Sequence, residues 1–579
     1  MSSAAALYPV YTEKADCLDC YKCVRHCPVK AITFENGHAR VDHEHCVFCG
    51  RCVDVCPAGA KRGRNDVRIV EEALERGTRI ILSIAPSWRG EFPGLSTGQL
   101  IKAAQAAGFT GVSETALGAE VVSAEILHLI HNSDKKFFVS SACPTVVEYV
   151  MKYRRTYAPH VTAILSPMLV HCSMLREQYG ENVSVVFAGP CVSKKREADE
   201  HPELCTAALT YSELMELLKK YHIDPYSLDE AGEEKHFLAG KSGAAARYPY
   251  EGGMIESIRE CRGEDPAADE LIAMSISGIE EIEEALSESP EELSGKTEGK
   301  FFLELLACRG GCINGSGRIC KGTVGKRLSI LASAGSRAEL PPFEGKMEGR
   351  WNYALPTRPR YGERKVRDVL ERIGKYTIED ELNCGGCGYN TCREFAAACL
   401  DDRAETVMCV SHMRKLAQKK ANTIIEKMPS GVVIVDEKLT VLESNYRFAE
   451  IIGDDALLMW RASPKLEGAL ITRLVPFHAL FETVLKKGNE IIDRNIQLKE
   501  KVLNVTIFPI IKGQSICAII QDVTVPWINR DNIIKKAREV ISKNLETVQQ
   551  VAYLLGENAS ENEVILNSII ESFKGGGNE

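Results

Sequence analysis

The sequence has no apolar run near the roughly 18 to 20 residues that a membrane span requires, so no spanning helix is expected. Its first residues, Met1-Ser2-Ser3-Ala4-Ala5-Ala6-Leu7, lack a basic region followed by a long apolar stretch, and no secretory leader is expected. An excess of positive charge is missing too. Against 71 Lys and Arg stand 80 Asp and Glu, and the formal net charge of -9 gives no general attraction to nucleic acid. The short basic runs Lys61-Arg62-Gly63-Arg64 and Arg358 to Arg367 read as solvated linker surface. Histidine is absent from residues 526–579. These absences predict a cytoplasmic protein with neither nucleic acid nor membrane among its partners.

A chain of 579 residues is too long for a single core and should divide into about three to five domains. Its 45% apolar and 26% charged content is that of a globular protein. Cysteine is the outlier, with 22 copies. Disulfides are disfavoured in a large cytosolic chain, so clustered cysteines point to metal. Sixteen stand in ligand-like arrangements; Cys172, Cys205, Cys261, Cys320, Cys399 and Cys517 read as small buried hydrophobes.

Residues 17 to 27 run Cys17-x2-Cys20-x2-Cys23-x3-Cys27-Pro28, and residues 46 to 56 repeat the pattern as Cys46-x2-Cys49-x2-Cys52-x3-Cys56-Pro57. Three closely spaced thiolates wrap one corner of a 4Fe-4S cube while the fourth crosses to the other cube. The expected sets are Cys17, Cys20 and Cys23 with Cys56, and Cys46, Cys49 and Cys52 with Cys27. Zinc is the alternative, but four-cysteine zinc sites do not use this doubled, proline-terminated spacing. Two adjacent cubes relay electrons.

From about residue 66 to 340, apolar runs alternate with segments of helical period. Arg79 to Ala85 and Leu271 to Ile276 read as strands, Leu100 to Ala107 and Val121 to Ile130 as helices. That alternation predicts an α/β domain with parallel sheet. Cys143, Cys191, Cys308 and Cys312 each follow a strand-like run (Phe137 to Ser141, Val183 to Gly189, Phe301 to Ala307), at the strand ends where open α/β sheets place their sites.

The surroundings of these cysteines resemble the catalytic domain of iron-only (FeFe) hydrogenases. The carrying segments are Ser140-Ser141-Ala142-Cys143-Pro144, Gly189-Pro190-Cys191-Val192-Ser193-Lys194-Lys195-Arg196-Glu197, and Glu304-x3-Cys308-Arg309-Gly310-Gly311-Cys312-x2-Gly315. Ala85-Pro86-Ser87, Ser166-Pro167, Thr210-x-x-Glu213-Leu214, Ser242-Gly243-Ala244 and Gly252-Gly253-Met254 support it. The resemblance implies an H-cluster, a 4Fe-4S cube joined through one cysteine to a diiron unit with CO and CN ligands. Cys143, Cys191, Cys308 and Cys312 would hold the cube, with Cys312 bridging to the diiron unit. Lys194 and the Ser87 hydroxyl are donors suited to seat cyanide.

Departures from the family carry equal weight. Ala142 occupies the position of a proton-relaying cysteine, and a methyl group cannot exchange a proton. Along Glu114-x3-Gly118-Ala119-Glu120 and onward, Ile126 and Leu129 stand where relay carboxylates are expected, while Thr162 keeps a hydroxyl. Gly189 and Leu306 replace methionines that pack against the diiron ligands, and Ser316 replaces a glycine.

Pro341-Pro342, Pro356 and Pro359 mark a crossing between domains. Cys384-x2-Cys387-x4-Cys392, with Cys409 seventeen residues on, can bind zinc or a cluster, and resembles the small 4Fe-4S domain of corrinoid and sensory redox proteins. A helical stretch from Leu416 to Met428 follows. Strands Val432 to Asp436, Val441 to Asn445, Ile491 to Leu498, Val502 to Ile511 and Ser515 to Thr524 come next and resemble a PAS domain, with a generic α+β domain as the alternative. Ile534, Ile541, Val548 and Leu555 recur every seven residues, with Ala537 and Val551 between, as a short coiled-coil seam. Ser560-x-x-Glu563 caps a last helix. With no histidine to phosphorylate, this tail would pass its signal to another protein.

The expected architecture is multidomain α+β and α/β. A ferredoxin-like dicluster domain (1–65) precedes an H-cluster hydrogenase domain (66–340) and a linker (341–365). A 4Fe-4S domain (366–412), a linker helix (413–427), a PAS domain (428–525) and a helical dimerisation or output segment (526–579) follow. The expected function is a sensory FeFe-hydrogenase of low activity, with an H-cluster and three further 4Fe-4S clusters. Its partners would be dihydrogen and protons, ferredoxin or another redox protein, a signalling protein, and a second copy through the C-terminal helices. The alternatives are a ferredoxin-linked hydrogenase with an unusual proton path, and a hydrogenase-like iron–sulfur protein lacking the diiron unit.

Overall fold

A computed structural model describes residues 8–229, 236–262, 271–296, 298–335, 343–524 and 539–548. The chain divides into two compact units, Met1–Thr406 and Val407–Glu579. Among the described residues no helix is long and apolar enough to cross a membrane.

In the first unit, strand β1 (Val10–Thr12) will pair antiparallel with β4 (Lys61–Gly63), and β2 (Ile32–Glu35) with β3 (His38–Val41). Asn36 and Gly37 both take left-handed φ, 53° and 81°, the two-residue turn favoured by the twist of paired strands. Each cysteine run closes into one short helix, Lys22–His26 or Arg51–Val55, entered through a left-handed residue, Tyr21 or Gly50. Repeated sequence gives repeated backbone.

The central region holds two parallel sheets where the alternation pattern alone predicts parallel sheet without saying how many. One has the order β6-β5-β8-β9, from β5 (Ile80–Ile84), β6 (Gly111–Glu114), β8 (Ser184–Gly189) and β9 (Ala207–Thr210). The other has the order β10-β11-β7, from β7 (Phe137–Val139), β10 (Leu271–Ser277) and β11 (Lys300–Leu306). β5, β6, β8 and β9 are buried almost throughout, as expected of strands covered on both faces. Helices Ala116–Asn132 and Pro167–Tyr179 pack closely beside them, because Gly118 lets the backbones meet. His171 is fully buried and bonded to Ser83 and Ser113 at 2.8 and 3.0 Å, tying its helix to β5 and β6. Burial lowers its pKa to about 3, so the ring is neutral.

Two of the sequence motifs are structural. Thr210 and Glu213 form a capping box on helix Tyr211–Lys220, and the same Glu213 pairs at 2.8 Å with Lys195, which is wholly buried. The carboxylate of Glu114 accepts from Ser242 Oγ at 2.6 Å, and Glu120 Oε1 accepts from the N–H groups of Gly243 and Ala245 at 3.0 Å. Those acids hold the loop 242–245.

The proline-marked crossing is a docked strap over its described part. Leu165 N donates to Met347 O at 2.7 Å, Gly349 N to Ala163 O at 3.1 Å, and Phe343 and Met347 pack on the core. Beyond it, helices Glu363–Arg372 and Cys392–Leu400 pair, and their segment lies on the dicluster region. Phe34 N donates to Asp402 O at 2.6 Å and Tyr21 OH to Glu405 at 2.6 Å.

The second unit begins with helix Val410–Lys427 and contains a five-stranded antiparallel sheet of order β13-β12-β16-β15-β14. Its strands are β12 (Gly431–Asp436), β13 (Val441–Ser444), β14 (Ile491–Leu498), β15 (Lys501–Ile511) and β16 (Ser515–Asp522). Asn445 joins the pieces: its Oδ1 accepts from Val432 N and Phe448 N, and its Nδ2 donates to Ile425 O and Ser430 O. Residues 539–548 are helical and include Ile541 and Val548 of the heptad pattern. Ile534, Ala537, Val551, Leu555 and the helix expected after Ser560 lie outside the described residues.

A Cβ at residue 118 would meet Pro167 O and stand 2.7 Å from His171 Cβ. Gly118→Ala should therefore destabilise the first unit by about 1–3 kcal/mol, read as a lowered denaturation midpoint.

Candidate metal centre

The four strand-end cysteines arrive from both sheets. β7 runs into Ser140-Ser141-Ala142 and Cys143, which is the N-cap of helix Pro144–Tyr153. β8 leads to Cys191, three residues before helix Lys194–Glu200. β11 leads to Cys308, and a tight turn delivers Cys312. Glycine is required in that turn: Gly310 and Gly311 have φ of 75° and 102°, and a Cβ on Gly311 would lie 2.6 Å from Tyr250 Cα.

The thiols converge closely enough to repel one another as anions. Burial and then Cys143 push Cys191 up to about 11. Cys308 is raised by burial, then by Cys191, Cys312 and Cys143; Cys312 by burial, then by Cys143 and Cys191. Burial raises Cys143 as well. Such a nest suits a polyvalent cationic centre, which alone stabilises several thiolates at once.

Lys194 is a cation that acts on Cys143, Cys191 and Cys312 of this nest. Burial pulls its pKa down, but Glu197, Cys191 and Cys143 hold it above the ordinary range. Glu197 Oε2 lies 2.5 Å from its Nζ and also accepts from Ser166 Oγ at 3.1 Å. The i,i+3 spacing on one helix turn makes that pair legible in the sequence. Ser87 is buried, with its Oγ 2.6 Å from Tyr211 OH, which donates to Ala85 O at 3.0 Å. Since Ala85 O also accepts from Trp88 N at 3.0 Å, the tyrosine can turn its proton to Ser87 and free that hydroxyl to donate. Tyr211 was not among the expected site residues.

Around Ala142 the polar groups are satisfied among themselves. Its N–H donates to Ser140 Oγ at 3.2 Å, which in turn lies 3.2 Å from Met254 Sδ. The Thr162 hydroxyl is 2.9 Å from Ser141 Oγ, which donates to Ile164 O at 2.6 Å. Ile126 is wholly buried in the core and Leu129 packs against it. No side chain at positions 126, 129, 142 or 162 can titrate.

Two further departures gain a physical account. The room at Gly189 is taken by the ring of Phe187: a Cβ at residue 189 would lie 2.5 Å from Phe187 Cζ and 3.0 Å from Ala85 Cβ. Ser316 abuts Gly50, so the extra Cβ of the serine faces a residue that has none.

The dicluster cysteines fall into neighbouring groups. Cys46, Cys49 and Cys52 are raised by burial, and Cys27 adds to each; Cys49 reaches about 12. Cys23 is raised to about 11 by burial, then by Cys20 and Cys17, with Lys61 opposing. Lys61 also helps lower Cys56, where backbone N–H groups of Lys61, Ala60 and Ala58 outweigh burial. Cys52 senses Cys23, and Cys308 senses Cys49, so the groups lie in series. A cavity of 330 Å³ lies beside Cys49 and Cys308. In the third cysteine segment Asn383, Gly385 and Gly388 take left-handed φ, and Asn383 Oδ1 accepts from Cys392 N at 2.8 Å. Cys409 is described with the second unit, as the N-cap of helix Val410–Lys427.

Sequence reading gave Glu304 a place in a motif but no physical role. It is almost fully buried on β11, takes Met254 N at 3.3 Å on Oε1, and leaves Oε2 without a hydrogen-bond partner. Burial raises its pKa to about 7. The folded state therefore holds this proton more tightly than the unfolded one. The associated stability is present below about pH 4.5 and is lost as pH rises through about 7. Relative to the native chain, Glu304→Gln should gain stability over that interval, by up to roughly 3 kcal/mol, in denaturation midpoints compared at pH 5 and pH 8.

Comparison with known proteins bears on this geometry. Residues 78–316 match the family described as iron only hydrogenase large subunit, C-terminal domain; residues 9–57 match a 4Fe-4S dicluster domain, and residues 380–411 an Fe-S cluster family. Iron hydrogenase 1 of Clostridium pasteurianum is 26% identical over 369 residues, covering 53% of this chain and 64% of the relative. The periplasmic Fe hydrogenase large subunit of Nitratidesulfovibrio vulgaris is 27% identical over 369 residues, covering 54% of this chain and 86% of the relative. An FeFe-hydrogenase structure from Chlamydomonas reinhardtii aligns with 47% of this chain and 90% of its own, at 18% identity and a TM-score of 0.35. The chain thus spans just under two-thirds of the Clostridium protein. With four thiols converging at strand ends inside the matched segment, the central region of this chain is similar to the C-terminal domain of iron-only hydrogenase large subunits.

Proposed function

We propose that the chain is a regulatory FeFe-hydrogenase of the cytoplasm, slow in turnover, whose redox state is read by its C-terminal half. Cys143, Cys191, Cys308 and Cys312 would hold the cube of an H-cluster, with Cys312 the ligand that would also serve the diiron unit. Cys17, Cys20, Cys23 and Cys56 hold one further 4Fe-4S cluster, Cys46, Cys49, Cys52 and Cys27 a second, and Cys384, Cys387, Cys392 and Cys409 a third. The H-cluster, when bound, supplies the reversible splitting of dihydrogen into protons and electrons. Lys194 and Ser87 donate to its anionic ligands, Glu197 orients Lys194, and Tyr211 orients Ser87. The electrons pass to a ferredoxin or to the remaining clusters.

The observation that carries the slow, regulatory reading is the company of Ala142. Its methyl group, the buried Ile126 and the packed Leu129 supply no proton acceptor, and the Thr162 hydroxyl is engaged with Ser141. A hydroxyl or a water can bridge one gap in a relay, but not three in line. The second unit supplies the other half of the reading. Its five-stranded sheet, led in by a helix, fits a PAS output module that reports to a signalling protein, with dimerisation through the C-terminal helices.

Two experiments test the chemistry. Protein matured with the diiron assembly machinery should show infrared bands of iron-bound CO and CN; without them the hydrogenase reading falls and a cube-only iron–sulfur protein remains. Ala142→Cys should raise turnover by on the order of 10-fold or more. Turnover at ordinary enzyme rates in the native chain would overturn the slow, regulatory reading. Truncation after Val410 should leave hydrogen chemistry intact and abolish regulation of a partner; regulation that survives would exclude the second unit as output.

A further inference from the structure

Besides the bonds of Tyr21 and Phe34, the third cysteine segment meets the dicluster region at the turn after Cys27. Lys30 follows Cys27-Pro28-Val29 in a left-handed conformation, φ 52°, which turns it out of the first cysteine run. Its Nζ sits 5.6 Å from the centroid of the Tyr389 ring. The ammonium group senses the thiols of both Cys27 and Cys387, one from each segment. Tyr389 is 4% exposed, donates to Arg403 O at 2.9 Å, and senses Cys27 in turn. The approach is close because residue 388 is glycine: φ is 90°, and a Cβ there would stand 2.6 Å from Arg25 Cα.

Cys27 groups with Cys46, Cys49 and Cys52. That group therefore borders three others. It meets the strand-end nest across the cavity lined by both Cys49 and Cys308, and the Cys17–Cys23 group through the packed helices Lys22–His26 and Arg51–Val55; it meets the third segment at the turn after Cys27, where Ala31 N donates to Cys27 Sγ at 3.2 Å and Lys30 lies over Tyr389. In a linear wire the third segment would adjoin the group farthest from the strand-end nest. The contacts describe a branch instead.

We propose that the cluster of Cys27, Cys46, Cys49 and Cys52 is a three-way electron junction, joined through Lys30 and Tyr389 to the cluster at Cys384, Cys387 and Cys392. The inference rests on the cluster assignments proposed above. The step is a single-electron transfer: one cluster is oxidised by one electron, the other is reduced by one, and no bond or proton changes. A fixed cation between two anionic clusters favours whichever holds the added electron, and half-burial limits its screening. Lys30 thus raises both potentials together. An electron from the hydrogenase site then has two exits, one through Cys17, Cys20 and Cys23 and one through Cys384, Cys387 and Cys392.

The test uses the full chain with its clusters reconstituted and reduced stepwise under electron paramagnetic resonance. Cys49→Ser and Cys20→Ser identify the junction and outer signals by their loss. Cys387→Ser should then sharpen the junction signal and leave the outer one unchanged. Lys30→Gln should shift the potentials of the junction and third clusters downward together, and Lys30→Arg should restore them; equal iron content in both variants certifies folding. Sharpening of the outer signal in Cys387→Ser, or a Lys30→Gln shift in neither or only one cluster, would overturn the junction while leaving the cluster assignments intact. Zinc in place of iron at Cys384, Cys387 and Cys392 would remove both.

Discussion

Sulfur that must be anionic to work has been buried where anions are costly, and much of the first unit is organised around that conflict. Every strand-end thiol is pushed upward by burial, and three of the four also by repulsion from another cysteine. Among the described residues few cations compensate: Lys194 at the nest, Lys61 at Cys23 and Cys56, Arg51 at Cys49, and Lys30 at Cys27 and Cys387. Were all sixteen motif cysteines to ionise, these few charges could not stabilise them. Occupancy by metal and completion of the fold are then one equilibrium, because the bound centre supplies the charge that the polypeptide withholds.

The parts of this arrangement that were legible in the sequence are the local ones. Cysteine spacing within eleven residues fixes a short helix and three ligands, so both dicluster runs could be read without tertiary knowledge. The apolar runs before Cys143, Cys191 and Cys308 end as parallel strands within a residue or two of expectation. What could not be read depends on residues distant in the chain. That the ligands come from two sheets, that Glu114 and Glu120 serve the loop at Ser242 to Ala245, and that the proline-rich crossing is strapped to the core all follow from long-range packing. Spacing encodes none of these. Lys30 is the plainest case: one lysine among many in the sequence, distinguished only by a left-handed backbone and by Tyr389 more than 350 positions away.

The second unit shows the opposite balance. Its strands were legible almost residue for residue from apolar runs, since an antiparallel sheet with one packed face alternates visibly. Its function was not, because the buried face is a closed apolar core of Val433, Phe448, Ile471, Phe481, Val505 and their neighbours. The polar group most firmly held there, Asn445, serves the backbone. All four of its partners are main-chain atoms, so it couples the entering helix to the first strand.

Gly189 and Phe187 point to a constraint on how such a site can change. The two positions lie two apart on one strand, hence on one face, and the ring of one fills the space that a side chain on the other would need. Neither can be exchanged alone without cost: a side chain at 189 meets the ring, and a smaller residue at 187 leaves a void. The pair is epistatic. Single substitutions at either position therefore pass through a poorly packed pocket, and only a paired change keeps it filled.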